Sequence, residues 1–336
     1  MKGFRKPLLP VRQEAAIQKT LANLRAQRRN RFRILACIDG SEESFITVRK
    51  AARFGASDEC DIIILYVRPI DQGLHSGGLQ VRLARQNMMD AGFELPGVSH
   101  LRRALDMLKA EGLDVSDWER TTQNQNAWGD PAGDNKIEYR APNGRSVVLK
   151  LKTAPDVAVG ILDQYELGPY NLIIVGEPSR WRGELQSFFD SGVVQSIVTL
   201  APCSVLVARR PNERMGFLIS TDGSPRSLQT VRRAAVLAHV MGRDISLLSV
   251  AADEAGLPAA REAVTNAEAL LKAMKIKALS TKVAVGEIVE KIVETGNAYG
   301  TIVVSDERRS RLQRLFKGSV ATEVVRRAST SVLDVR

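Results

Sequence analysis

The chain has 336 residues, 44% apolar and 26% charged, a globular composition long enough for two domains at roughly 100–200 residues each. No run of about 18 apolar residues and no apolar leader ahead of a small-residue cleavage site is present, which excludes a transmembrane helix and points to a cytoplasmic protein. The net charge of +10 is local: residues 1–33 carry ten Lys/Arg against Glu14, while the rest of the chain holds 38 basic and 37 acidic groups.

Taken in chain order, residues 1–31 form a basic arm. Residues 11–29 place Val11, Ala15, Ile17, Leu21 and Leu24 on one side of a helix, with Arg and Lys elsewhere. Such a helix suits an anionic surface, lipid or nucleic acid, or docks on its own domain. With Phe4 and Phe32 as its aromatic residues it offers no stacking platform, so any nucleic-acid contact would be electrostatic and salt-sensitive.

RILACI (33–38) is a strand ending at the turn signal Asp39-Gly40, and IIILYV (62–67) is a second strand. A long insertion follows, around 70–149. Its first part predicts a Gly-rich loop and a helix over 70–97, with Met88-Met89 as packing. Its second part contains KIEYRAPNGRSVVLKLK (136–152), where Asn143-Gly144 signals a hairpin. The hairpin is expected to lengthen a fourth strand and to cover an edge or recognise a partner. NLIIV (171–175) and SVLVAR (204–209) complete the half. Cys37, Cys60 and Cys203 lie widely spaced in or beside apolar runs, as buried thiols of a reducing compartment do.

The second half repeats the first. Residues 33–54 align with 216–237 at an offset of 183, identical at ten of 22 positions, including Asp39/Asp222 and Gly40/Gly223. Near the ends the offset is 127, where SVLVAR matches SVLDVR (331–336). In this copy FLIST is a strand before Asp222-Gly223, Ser224 is a helix N-cap and Pro225 fits the first helical position. Leu228, Val231, Ala235 and Ala238 form that helix's buried face. Then follow strand ISLLSV (245–250), a helix around 258–274, a strand near 279–285, a helix near 286–296 and strand TIVVS (301–305). Helix 319–328, with Val320, Val324, Val325 and Ala328 inward, precedes strand SVLDV. The pattern is α/β, with two repeated domains over 32–209 and 214–336. Each has a parallel sheet covered by helices on both faces, and such sheets bind ligands beyond the strands' C-terminal ends, where Asp222, Ser305 and Gly318 converge.

An apolar strand ending in DGS, with a terminal strand/loop/GSV/helix/strand block, resembles the universal stress protein family in both copies. The resemblance implies five parallel strands per domain in an adenine-nucleotide alpha-hydrolase-like fold, ATP with Mg²⁺ as the ligand of some members, and pairing through the final strands. The two final strands, 204–208 and 331–335, would then meet within one chain as a pseudo-dimer. The family's phosphate motif is Gly, two residues, Gly, nine residues, then Gly-Ser/Thr after the fourth strand. Glycines let backbone N–H groups approach phosphate oxygens, and the final pair opens a helix whose dipole favours anions.

Gly318-Ser319-Val320 keeps the end of that motif, while Ser305 and Arg308 replace its first two glycines. In the first copy Gly176 keeps the first glycine, but the following loop is two residues longer and Ser191-Gly192 stands in place of Gly-Ser. The resemblance places Asp39 and Asp222 near the nucleoside and Val67 and Val250 at the base, with the second copy the better site. Two other accounts compete: each Asp stabilises its own turn, and the run Arg308–Arg314 with Lys317 is a solvated basic loop. No GxxxxGK[ST] or GxGxxG motif is present, and the three histidines, His75, His100 and His239, do not make a catalytic set. The expectation is a non-enzymatic, nucleotide-responsive stress regulator with a protein partner. The alternative is an interaction protein with decayed sites that acts through hairpin and arm.

Overall fold

The computed structural model describes residues 31–69, 96–127, 130–166, 170–177, 191–209, 216–305 and 319–336. The first half runs β1 (Phe32–Ile38), α1 (Glu42–Phe54), β2 (Cys60–Pro69), α2 (Pro96–Ala110), β3 (Glu119–Ala127), β4 (Asp130–Arg140), β5 (Ser146–Ala154), α3 (Val157–Glu166), β6 (Leu172–Gly176), α4 (Ser191–Leu200) and β7 (Ser204–Ala208). The second runs β8 (Phe217–Ser220), α5 (Pro225–Val240), β9 (Ile245–Ala251), α6 (Leu257–Ala273), β10 (Ala278–Val285), α7 (Ile288–Gly296), β11 (Thr301–Ser305), α8 (Val320–Arg327) and β12 (Ser331–Val335).

The twelve strands among the described residues lie in one sheet, ordered β10-β9-β8-β11-β12-β7-β6-β1-β2-β5-β4-β3. Each domain contributes five parallel strands, and the domains join where β12 pairs antiparallel with β7 in the register Val332↔Val207, Leu333↔Leu206, Asp334↔Val205. The intramolecular pairing through final strands is therefore present. Apolar edges that would otherwise stay open are closed by it.

The strands are apolar on both faces because both faces are covered. One core lies beneath α1, α2, α5 and α6, with Phe45, Val48, Val231 and Val264; the other lies beneath α3, α4, α7 and α8, with Ile161, Ile197, Ile292 and Val324. Both cores run through the domain junction, where the Phe54 and Phe217 rings stand 6.5 Å apart.

The helix starts follow local chemistry. Ser224 accepts from the Ser227 N–H at 3.2 Å with Pro225 in the first turn, and Ser41 does the same for Ser44 at 3.1 Å. In α8 the inward face differs from expectation. Ala321 is buried with Val324 and Val325 while Val320 is 40% exposed, so the helix is turned by one residue from the expected phase at its start.

The insertion is also arranged differently. The Asn143-Gly144 hairpin forms, with Gly144 at φ +83° and the Ala141 N–H donating to the Arg145 carbonyl at 2.9 Å. Its second arm, β5, lengthens no fourth strand: it is the third strand of the parallel set, paired with β2 from Ile62↔Val147 onward. The added strands are β4 and β3, antiparallel at the sheet edge. Helix α2 has a counterpart after all, since its buried Leu101, Ala104 and Leu108 match Val264, Ala267 and Leu271 of α6 at one offset of 163. The arm helix, Met88-Met89, His75 and most of the expected helix 70–97 lie outside the described residues. Among the described residues no helix is long and apolar enough to cross a membrane.

Candidate functional site

The parallel strands of each domain end together, and there the candidate residues gather. In the second domain β8 lies between β9 and β11, so Asp222, Val250 and Ser305 all stand at the C-terminal strand ends. Helix α8 runs back from this end toward the start of β12, so its N-terminus opens onto the same edge. Ser319 caps that helix, its Oγ accepting from the Thr322 N–H at 3.1 Å. The first-turn amides of α8 have no partner within the helix and carry its positive dipole end. Arg308 and Gly318 lie outside the described residues.

Asp222 organises the turn beside it. Its Oδ1 accepts from the Ser224 N–H at 2.9 Å. Burial pushes its carboxyl upward, but hydrogen bonds from Ser227 and Ser224 outweigh this and hold it below the usual carboxylate range. Gly223 sits at φ +78°, and a Cβ there would lie 2.9 Å from that of Ala263, so both conformation and space require glycine. Asp39 has the same role in the first domain, accepting from the Ser41 N–H at 2.9 Å and its Oγ at 2.6 Å. Turn stabilisation is thus a task both carboxylates perform.

The two domains part company at the ends of β2 and β9, where the resemblance expects a base. Val250 is half-buried at the end of β9, facing the small Ala284 on β10 in register. Val67, its counterpart, is only 4% exposed. Helix α3 lies on it through Gly160, where a Cβ would meet the Val67 methyl at 2.5 Å. In register with Val67 stands Lys152, 5% exposed and paired with Asp163 at 3.1 Å. The position that is small and open in the second domain is filled in the first. Gly176 has a packing role as well: a Cβ there would come 2.9 Å from the Ser44 Cα in the first turn of α1.

Sequence reasoning missed Gly160, Lys152 and His100. The imidazole of His100 covers the first-domain turn so closely that a Cβ on Gly40 would lie 2.3 Å from its Nε2. The signal available was the α2/α6 alignment, which sets His100 opposite Ala263. His239 is exposed in the last turn of α5. All three cysteines are buried free thiols. Among the described residues no group of three or more His, Cys, Asp or Glu is placed to hold a metal ion.

Comparison with known proteins follows the same division. The model of the universal stress protein family matches residues 30–209 and again 216–336. A universal stress protein from Archaeoglobus fulgidus DSM 4304 is similar in structure, with TM-score 0.57 and 15% identity, over 90% of this chain and 98% of that one. A functionally unknown protein from Pseudomonas aeruginosa PAO1 gives 0.56 and 13%, over 92% and 94%. At these identities the likeness concerns the fold. A universal stress protein from Archaeoglobus fulgidus, solved in complex with dAMP, matches over 36% of this chain and 98% of its own, with 20% identity and TM-score 0.31. A comparison with curated protein sequences finds no match.

Proposed function

The chain belongs to the universal stress protein family, and on that premise we propose that it is a nucleotide-responsive regulator whose working site is in the second domain. The observation that carries this reading is the set of groups at one sheet end: the Ser319-capped start of α8, the ionised Asp222 and the half-buried Val250 beside Ala284. These fit an adenine nucleotide in kind. An apolar position faces the base, a carboxylate acceptor suits ribose hydroxyls, and a helix N-terminus suits phosphate. ATP with its Mg²⁺ is the ligand proposed, the ion being carried chiefly by the phosphates and its own waters. The first domain is proposed not to bind, because Gly160, Val67 and the Lys152–Asp163 pair fill the base position.

Binding without turnover is the proposed activity. Asp222 is committed to hydrogen bonds and held ionised, which makes it an acceptor and a poor proton donor. Calorimetric titration of Mg·ATP into the full chain, beside Ser319→Asp, tests the reading. Aspartate remains a good N-cap, so α8 keeps its start, but its charge opposes phosphate there. Saturable binding in the wild type, weakened at least about tenfold in the variant, supports the site. Equal binding in both, or none in the wild type, contradicts it.

One observation favours a second reading, in which the chain acts through the insertion. β3 is the outermost strand on its side of the sheet, and Thr121–Asn126 carry no charge to guard that edge. An extended segment of a protein partner could pair there. Binding of such a partner that survives Ser319→Asp and is lost on Gln123→Pro would favour it.

A further inference from the structure

Both domains end in the same hexapeptide pattern, SVLVAR and SVLDVR, and the two terminal arginines do the same thing in opposite directions. Arg209, 5% exposed, crosses from the end of β7 into the second domain. There it donates to the Val325 carbonyl in the last turn of α8 and to the Thr330 carbonyl at 2.9 Å. Arg336, its side chain 4% exposed, crosses from the end of β12 into the first domain and donates to the carbonyls of Val198 and Ala201 at the end of α4. Val198 and Val325 are equivalent, at the offset of 127 that relates the arginines themselves. The backbone repeats the exchange: the Arg209 N–H donates to Ser331 Oγ and the Arg336 N–H to Ser204 Oγ, each at 3.1 Å.

The chemistry explains the choice of residue. The last four carbonyls of a helix lack intrahelical partners and carry the negative end of its dipole, which a guanidinium fork satisfies in charge and geometry. Each arginine is held by an acid of its own domain. Glu177 grips Arg209 with both oxygens, one contact at 2.6 Å, and Asp334, fully buried, holds Arg336 at 2.9 and 3.0 Å. Glu177 directly follows Gly176, the last residue of β6 and the position the resemblance gives to the first glycine of the phosphate motif. Helix α8 starts at Ser319, on the phosphate side of the second domain.

We propose that Arg209 and Arg336 are reciprocal positioning residues: each fixes, in the other domain, the helix whose N-terminus faces the phosphate end of the site. Arg209 thereby ties the Gly176-Glu177 strand end of the first domain to α8, and so couples a site that has closed to one that works. The coupling to ligand rests on the nucleotide reading above; the clamp itself does not.

Amide hydrogen exchange on the full chain, read by mass spectrometry over α4 and α8, tests it in two arms. Without ligand, Glu177→Gln should speed exchange in α8 about tenfold or more and leave α4 unchanged. Asp334→Asn should do the reverse, with Arg336→Lys as a second variant should the buried Asn impair folding. A general loosening of both domains is what a merely structural tie would give; that result, or no change in either helix, would overturn the clamp. With saturating Mg·ATP, the wild type should show altered exchange over 172–177 as well as protection at the start of α8. Arg209→Lys should keep the second effect and lose the first. Persistence of the 172–177 response in Arg209→Lys overturns the coupling. ATP without effect anywhere overturns it together with the nucleotide reading, and the ligand-free arm still decides the clamp.

Discussion

His100 illustrates how one side chain distinguishes two otherwise repeated turns. Its ring lies 5.7 Å from that of Tyr66 and 6.4 Å from that of Phe45, with Asp39 and Arg103 as the charged groups nearby. Burial lowers its pKa; Asp39 opposes the shift and Arg103 adds to it. The unfolded chain therefore takes up the proton first as pH falls below about 6.5, and stability is lost until the lowered folded value is passed. The stability difference between wild type and His100→Gln should accordingly shrink from about pH 7 to about pH 5, as measured by urea unfolding at each pH. A difference independent of pH would show that the imidazole titrates alike in both states. The role of His100 was legible only through the alignment of α2 with α6, since a lone histidine acquires one through the turn it covers. Asp39, Asp222 and Ser224 were legible because Asx turns and N-caps are local chemistry. Val320 was misplaced because an eight-residue helix gives too few apolar positions to fix its phase.

At the scale of elements, the regular units were legible where the chain repeats itself, and the insertion was not. Strand β5 alternates Leu and Lys at 149–152, the pattern of a half-exposed hairpin arm, yet it pairs parallel with β2 on one side and antiparallel with β4 on the other. Lys152 is tolerated there because it finds Asp163 on α3. Helix α2 escaped alignment because its likeness to α6 rests on Leu101, Ala104 and Leu108, while the exposed positions have diverged. Arg145 fastens the hairpin to the body. It is 7% exposed, donates to the Gly55 carbonyl and to Asp58 at 3.2 Å, and stands 5.9 Å from the Trp118 ring centroid. Arg145→Ala should destabilise the fold by about 2 kcal/mol, because it strips a buried carbonyl of a charged donor. A change within about 0.5 kcal/mol in urea unfolding would show that the hairpin is held by its strand pairing alone.

For the whole molecule, the β7–β12 pairing joins both domains in one sheet, and the two halves differ on either side of that joint. Its symmetry is legible in the offset of 127, but its acids are not. Where Asp334 holds Arg336, the equivalent residue in the first domain is Val207, and Glu177 on a neighbouring strand holds Arg209 instead. The ends of β2 and β9, proposed above to face a base, diverge too: Lys152 stands beside Val67 in one domain and Ala284 beside Val250 in the other. If one domain binds and the other does not, one chain holds a single nucleotide. Native mass spectrometry of the full chain with Mg·ATP should show one nucleotide per chain at saturation, with Ser319→Asp needing at least about tenfold more nucleotide to reach it. Two per chain would contradict the closed first domain, and zero would contradict the site itself.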